Sequence, residues 1–568
     1  MAIAGLLINL LILGALVAGG IALVRRGQHG TSGAGSLRRL VIYAFAYGLL
    51  IVAAVGVARV VGLLIPSNDI VRNDSSDIAQ ALAFTIVGVP GFYVLWRYLN
   101  RKLDDPAERR SVGWGLFLLA STTTFLIGGL TGLATGISWI IGVDSPAPVA
   151  LGFGIVWTGV WWWTWRLANG ARRPAVLEHG STIVGSGIGL VVTASAAAIT
   201  LGSLLSEAYD AVFSVSLGSR SSDSFARALV WTILGVLIWW WHWWQHGLQS
   251  PESGGKSAYV LVLGVLGGAV AALVAVAGGL FLTLQWFLGD PDSTSASLHF
   301  GDLPALLSTF GIAWLVWAYH RSVVTAEGPQ AMESPVGSIY RYLLAGVGLL
   351  AAATGLGILV NAIMSTTVTI AGGDSSVDVL LGGLTGLIVG IPVWWKTWTP
   401  IQAAVAADPD RIRRPARRIY LTVLAGVGGL VTIISLIVLT FQLFESALEG
   451  DSASSVIDQI RGPLGWIVAT AVVAGYHFAV WRRDRATLPE EEEEAEVLRQ
   501  IILVTGGEAP VKELRDATHA VVTVWPRADD SDGTAGPEEL LAAIRAVHAE
   551  RVLVISDHDG VKAIPLER

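Results

Sequence analysis

Residues 78–97 read IAQALAFTIVGVPGFYVLWR, a stretch without an acidic side chain and with one basic side chain, at its end. About 20 helical residues cross the hydrocarbon core of a bilayer, so this stretch has the length of a membrane span. It must be helical, because lipid offers no partners to free backbone amides. Including this span at 78–98, we predict thirteen, the others lying at about 3–24, 37–65, 112–142, 147–166, 180–205, 226–244, 258–288, 303–320, 339–371, 379–398, 417–444 and 463–482.

Composition supports a membrane protein. The 568 residues are 53% hydrophobic and 14% charged, against about 25% charged in soluble proteins. There is no Cys, which excludes disulfides, thiolate metal sites and a cysteine nucleophile. Many of the 23 Trp lie at span ends, where an interfacial belt is the ordinary interpretation and a ligand-binding aromatic cage is the alternative. We predict the lipid bilayer as a partner and no nucleic-acid partner.

The distribution of basic residues predicts the orientation. No basic residue precedes the first apolar stretch, and Arg25 and Arg26 follow it, which predicts an uncleaved helix with the N-terminus outside. The predicted cytoplasmic connections then contain 24 Lys and Arg residues, against 4 in the outer ones. We expect a bacterial cytoplasmic membrane protein with a cytoplasmic C-terminal domain. The acidic outer loops indicate either exclusion of basic residues or a vestibule that gathers cations.

A degenerate ending, G-x-P-x5-W-R, recurs in the spans that run toward the cytoplasm, about 70 to 83 residues apart. A fixed period indicates a repeated structural unit, here a two-helix hairpin. A proline within a span frees a carbonyl, and Trp and Arg favour the membrane interface. The motif residues are Gly88, Pro90, Trp96, Arg97, Trp165, Arg166, Gly235, Trp243, Gly390, Pro392, Trp398, Trp481 and Arg482.

The predicted fold is an all-α polytopic membrane protein, one helix plus six tandem hairpins, with a small C-terminal α/β soluble domain. The first helix and its loop take residues 1–36. The hairpin repeats are predicted at 37–110, 111–178, 179–256, 257–335, 336–414 and 415–488, and the soluble domain at 489–568.

The repeated hairpin ending resembles a bacterial family of polytopic membrane proteins described only as a domain of unknown function. The resemblance extends over about residues 37–485. It implies a membrane location and tandem two-helix repeats, and it implies no activity or catalytic residue.

The predicted spans contain no Asp or Glu, which argues against ion-coupled transport. Glycines at every fourth position favour close helix packing, with a narrow conduit as the alternative. These glycines are Gly128, Gly132, Gly136, Gly382, Gly386 and Gly390. Hydroxyls at Thr122–Thr124, Thr193 and Ser195 either bond to their own helix or line such a conduit.

Ionisable side chains occur near the span ends. Arg59 is expected to extend toward the outer acidic residues, and His242, His320, Lys396 and His477 toward the cytoplasmic interface. No His, Asp or Glu spacing indicates a zinc or haem site, so we predict no catalytic, cofactor-binding or metal-binding residue.

The C-terminal residues predict a compact βαβαββ unit after an acidic run that begins at Glu490. Thr505, Gly506 and Gly507 follow its first strand and are a candidate phosphate loop without the full nucleotide-binding pattern. Asp557–Asp559 indicate a hairpin turn or a metal site.

Three function classes remain. The first is a non-enzymatic membrane scaffold or sensor whose residues 490–568 engage a cytoplasmic protein. The second is a passive channel or transporter through the repeat array. The third, a membrane enzyme acting on lipid, ranks last because no paired carboxylates, metal cluster or activated nucleophile is found.

Overall fold

The computed structural model describes residues 33–66, 75–213, 222–291, 293–326, 335–366, 376–487, 498–506, 509–518, 520–527, 535–547, 549–557 and 560–566. The first predicted span, at 3–24, and the acidic run from Glu490 lie outside these residues.

Long helices form most of the described chain up to residue 487. Trp240–Gly247 and Tyr259–Leu266 are π-helical continuations of the helices that contain them. The long helices are α1 Gly33–Leu64, α2 Ser75–Lys102, α3 Val112–Ile140, α4 Pro148–Asn169, α5 Gly180–Phe213, α6 Ser222–Gly247, α7 Gly254–Leu288, α8 Ala296–Ala326, α9 Pro335–Ser365, α10 Ser376–Ala407, α11 Pro415–Glu449 and α12 Ala453–Thr487.

Eleven helices of the described chain are long and apolar enough to cross a membrane. The remaining long helix, α4, is not among them; it contains five of the Trp residues, which score as slightly polar in mean hydropathy. The predicted number of thirteen spans is therefore not confirmed. The many apolar helices nevertheless indicate a multi-pass membrane protein.

The glycine of the predicted motif lies at a close crossing in three helix pairs. Gly88 of α2 lies against Ala53 of α1, and Gly235 of α6 lies against Thr193 of α5. In the third pair, Gly390 of α10 lies against Ala352 of α9. A Cβ atom at any of the three glycines would lie less than 3 Å from backbone atoms of the neighbouring helix. Only glycine permits these approaches.

The long helices form three sets of four: α1–α4, α5–α8 and α9–α12. In each set the first helix pairs with the second, as just described, and also contacts the fourth. The contact between first and fourth helices uses small side chains throughout. Gly152 of α4 lies on the backbone of α1, Gly202 of α5 lies on Ser308 of α8, and Gly357 of α9 lies on Gly465 of α12.

Polar pairs connect neighbouring sets at the predicted outer ends of the helices. Arg227 of α6 donates from Nε and Nη2 to Oδ1 of Asp144, in the loop after α3, at 3.1 and 2.5 Å. Gln285 of α7 donates to Oδ2 of Asp378 in α10 at 3.2 Å. Arg59 of α1 lies 3.6 Å from the carboxylate of Asp77, which agrees with its predicted direction.

The C-terminal sheet belongs to a separate unit that comprises residues 478–568. Its elements are β1 Gln500–Thr505, α13 Val511–Thr518, β2 Val521–Pro526, α14 Pro537–Arg545, β3 Arg551–Asp557 and β4 Gly560–Pro565. The strand order is β2-β1-β3-β4, parallel except for β4. Alternate residues of β1 and β3 are buried, among them Ile501, Leu503, Val552 and Val554. The predicted βαβαββ order is confirmed.

Candidate functional site

Five aromatic side chains meet at the predicted cytoplasmic ends of α6, α7 and α8. We call Trp239, Trp243, Tyr259, Tyr319 and His320 the second-set cluster. Trp239 donates from Nε1 to the hydroxyl of Tyr259 at 2.7 Å, and Trp243 donates from Nε1 to the hydroxyl of Tyr319 at 2.9 Å. Since the two Trp residues belong to α6 and the two Tyr residues to α7 and α8, the bonds connect all three helices.

His320 completes this hydrogen-bond chain. Its Nδ1 lies 2.8 Å from the carbonyl oxygen of Val316, and a carbonyl can only accept, so Nδ1 carries the proton. In the neutral ring Nε2 is then the acceptor, and it lies 3.2 Å from the hydroxyl of Tyr259. The proton of that hydroxyl points to His320, while its oxygen accepts from Trp239. Every polar atom of this buried chain therefore has a partner.

A matching third-set cluster lies at the ends of α10, α11 and α12, formed by Trp394, Trp398, Tyr420, Tyr476 and His477. Trp398 donates from Nε1 to the hydroxyl of Tyr476 at 2.8 Å, as Trp243 does to Tyr319. Both histidines use Nδ1 in the same way, His477 toward the carbonyl oxygen of Val473 at 2.8 Å.

Two ring pairs have almost the same geometry in the two clusters. The Tyr259–His320 centroids lie 5.4 Å apart and those of Tyr420–His477 5.6 Å apart, both at 71°. The Trp239–Tyr319 pair has a separation of 5.6 Å at 79°, and its counterpart in the third set 5.6 Å at 80°. The two clusters are therefore structural equivalents.

A buried cation precedes the central Tyr by three residues in both clusters. Lys256 donates from Nζ to the carbonyl oxygens of Leu248 and Ser250 and to Glu252. In the third set, Arg417 donates from Nη2 to Gln402 at 2.9 Å and stands 5.8 Å from the Trp398 ring. Both buried cations thus contribute to the packing at the ends of the helices.

The two clusters differ at two bonds, those between the first Trp and the central Tyr and between this Tyr and the His. Within the described residues, neither the hydroxyl of Tyr420 nor Nε2 of His477 has a hydrogen-bond partner, although both atoms are buried. The indole Nε1 of Trp394 is likewise buried and unpartnered there. The chain that is closed in the second set is therefore open in the third.

The first set has the same arrangement with fewer polar groups. Phe92 and Trp96 of α2 pack on Trp163 of α4 at 6.0 and 4.8 Å, and Trp114 of α3 lies 6.3 Å from Trp96. Thr164 occupies the place of the histidine, and its hydroxyl donates to the carbonyl oxygen one turn earlier, at Val160. The first set therefore keeps the ring packing without the Tyr–His pair.

The expected extension of the histidines toward the interface is wrong. His242, His320 and His477 are almost completely buried among rings and bond to carbonyls of their own helices. The Tyr-His dipeptides at 319–320 and 476–477 are the sequence signal that the second-set and third-set clusters are equivalent. The equivalence is missed when second and fourth helices are aligned with each other, because the Tyr-His pair occurs only in fourth helices, whereas His242 lies in the second helix α6.

The residues of the predicted motif also divide between the second and the fourth helices of the sets. The residues Gly88, Pro90 and Trp96 lie in α2 and their counterparts in α6 and α10, the second helix of each set. Trp165 and Trp481 lie in the fourth helices, but two and five residues after the equivalent positions Trp163 and Tyr476, so they do not correspond to each other. Arg166 of the motif stands over the ring of Trp162, whereas the cation over Trp481 is Arg485 and not the adjacent Arg482.

The predicted packing glycines lie at helix contacts of unequal closeness. Gly128 faces the ring of Trp157, Gly132 faces Gly154, and Gly136 faces Leu151. Gly386 faces Gly355, whereas a Cβ atom at Gly382 would only reach Phe281 at 3.8 Å. The α3 stripe thus lies wholly against α4, whereas the α10 stripe lies against α9 only at its last two glycines.

The candidate phosphate loop lies only partly within the described residues. Thr505 is the buried last residue of β1, Gly506 is exposed, and Gly507 lies outside them. His558 and Asp559 also lie outside. Within the described residues, no group of three or more His, Asp or Glu side chains is placed to hold a metal ion.

The fold and the clusters define a class, a multi-pass membrane protein built from a four-helix unit that occurs three times. A family profile matches at residues 39–159, 183–319 and 338–472, one match for each set, and together the matches cover more than half of the chain. The chain belongs to this family, which is described as "Domain of unknown function (DUF5671)". No curated protein and no solved structure matches the chain.

Replacing each histidine by Phe compares the closed and open chains. Both variants lose the Nδ1 bond to the helix carbonyl, but only His320→Phe also deprives a Tyr hydroxyl of its acceptor. An unsatisfied buried hydroxyl costs about 1–3 kcal/mol, so His320→Phe should lower the unfolding free energy by that much more than His477→Phe. Unfolding in detergent micelles measures the difference. Equal losses would show that the Tyr259–His320 bond contributes nothing.

Proposed function

We propose that the protein is a non-enzymatic membrane scaffold or sensor of the bacterial cytoplasmic membrane. The proposal includes thirteen spans arranged as one helix plus six hairpins, an outside N-terminus and a cytoplasmic domain at residues 489–568. Each family unit then comprises two of the predicted hairpins. An even number of spans keeps the three units in the same orientation.

The observation that carries the proposal is that the buried mid-span hydroxyls of Thr122 and Thr124 form hydrogen bonds within the bundle. Thr122 donates to the carbonyl oxygen of Leu118 at 2.7 Å, and Thr124 shares a 2.7 Å hydrogen bond with Tyr47 of α1. The second-set cluster closes its hydrogen bonds in the same manner. Side chains that form hydrogen bonds within the bundle hold the helices together, and their hydrogen-bonding groups are not available to a transported solute.

The C-terminal unit offers a surface for a protein partner. Its β2 is an edge strand, and Val521 and Trp525 of this strand are 47% and 56% exposed. Exposed apolar side chains on an unpaired edge favour pairing with another chain. This supports a docking role for residues 490–568.

One observation favours the alternative, a passive channel. Ser195, one of the predicted conduit residues, lines a cavity of about 520 Å³ between α5 and α6. The other lining residues include Val191, Ile199 and Ala228, so the walls are largely apolar. A water-filled path would need polar walls, which makes this the weaker of the two functions.

The absence of cysteine permits a direct test with a membrane-impermeant thiol reagent. The exposed Ser145→Cys, in the loop after α3, should be labelled in intact cells, and the exposed Thr487→Cys only after permeabilisation. Thr122→Cys and Ser195→Cys should remain unlabelled in both conditions, because water does not reach them in a scaffold. Labelling at the last two positions would establish the channel. Labelling of Thr487→Cys in intact cells would reverse the orientation.

A further inference from the structure

An open groove of about 520 Å³ lies between α5 and α6 of the second set. It begins at Ser224 and Arg227 near the predicted outer end of α6. A second cavity of about 240 Å³ lies between α5, α7 and α8, and the two share the lining residues Val191 and Ser195 of α5. The groove alone has the size typical of a site for a small organic molecule.

One residue difference beside the crossing point separates the two helices of this pair more than in its two counterparts. The residue three positions after the crossing point on the first helix is Gly56 in α1, Ala196 in α5 and Gly355 in α9. A Cβ atom at Gly56 would lie 2.5 Å from the backbone of Thr85, and one at Gly355 would lie 2.6 Å from the carbonyl oxygen of Gly383. Alanine has this Cβ atom, so α5 and α6 cannot approach as closely beyond their crossing.

The groove opens toward the lipid. Its rim residues Val191 and Ile199 are 49% and 58% exposed, while Ala196 and Ala228 form a buried floor. Exposed apolar side chains at mid-span depth face hydrocarbon, not water. Acyl chains therefore have direct access to the groove.

The charged group of the groove lining lies at the outer end. Asp144 takes two of the five N–H groups of the Arg227 guanidinium, which remains 43% exposed. Ser224 lies beside it, and Asp223 precedes Arg227 by one helical turn. One cation and two carboxylates give this end a net negative charge. An anionic headgroup is therefore disfavoured, whereas a headgroup with both a phosphate and an ammonium matches the arrangement.

We propose that this groove holds one phosphatidylethanolamine molecule of the outer leaflet. Its phosphate accepts from Arg227, its ammonium lies beside Asp223, and one acyl chain lies along α5 over Ala196 and Ala228. The inference rests on the membrane location and the orientation of the proposed function but not on the scaffold role.

The test is native mass spectrometry of the full chain, delipidated in detergent and offered equal amounts of phosphatidylethanolamine and phosphatidylglycerol. We expect one phosphatidylethanolamine per chain. Arg227→Gln should reduce its retention about tenfold, because a charge-assisted hydrogen bond is lost. Val191→Trp should also reduce it, since the larger side chain at the exposed rim fills the groove without disturbing the floor.

Arg461→Gln is the matched control. Arg461 is also on the predicted outer side and also pairs with an acidic residue, Asp458, but it does not line the groove. Retention by this variant should equal that of the wild type. The proposal fails if phosphatidylglycerol is retained equally well, if no lipid is retained, or if Arg227→Gln and Val191→Trp retain as much lipid as Arg461→Gln. Labelling results for the channel question do not affect any of these outcomes.

Discussion

Trp243→Ala should lower the unfolding free energy by about 3–5 kcal/mol, the usual cost of truncating a large buried aromatic side chain. Trp243 is 1% exposed, packs 4.6 Å from the ring of Tyr259 and donates its indole proton to Tyr319. Truncation opens a cavity and removes a bond between α6 and α8. Reversible unfolding of the purified protein in detergent measures the loss.

Trp244→Ala supplies the control at the next residue. Trp244 is 46% exposed, although its ring lies 6.2 Å from that of Tyr319. Because less of the side chain is buried, the loss should be well under half of that for Trp243→Ala. Losses of the same size at both positions would mean that the cluster does not stabilise the bundle.

Gly390→Ala and Gly382→Ala should have effects of opposite sign. A Cβ atom at Gly390 would meet the backbone of Ala352 and lie 2.7 Å from the carbonyl oxygen of Gly348. Overpacking of this kind costs about 1–3 kcal/mol. At Gly382 the same atom would make an ordinary 3.8 Å contact with Phe281, and alanine favours a helix over glycine by about 1 kcal/mol.

Both substitutions add the same atom to the same helix and the same glycine stripe, so helix propensity is matched. The thermal unfolding midpoint should fall for Gly390→Ala and stay level or rise for Gly382→Ala. If both variants gained stability, the crossing of α9 and α10 would not require glycine.

The sequence predicted the helices well, because hydropathy reports directly on the length of an apolar helix. The predicted spans 112–142 and 147–166 correspond to Val112–Ile140 and Pro148–Asn169. Helix ends were predicted less accurately. The span predicted at 180–205 continues to Phe213, and the one at 463–482 begins at Ala453, since polar residues extend these helices beyond their apolar parts.

The clusters could not be predicted in the same way. Any two neighbouring spans form a plausible hairpin by hydropathy, so a two-helix period and a four-helix period give similar apolar patterns. Only side-chain contacts distinguish the two periods. His320 of α8 is hydrogen-bonded to Tyr259 of α7 and lies against the ring of Trp239 of α6, so its contacts span three successive helices. Equally, nothing in the sequence indicated that Ala196 keeps two helices apart, because the consequence of a single Cβ atom depends on the backbone that it meets.

A chain made of three copies of one unit can divide its tasks among the copies. The three sets already differ: the first has Thr164 in the place of the histidine, the second has an open groove, and the third has an unfinished hydrogen-bond chain. One shared frame therefore carries three distinct local chemistries, and a change in one copy can leave the other two intact.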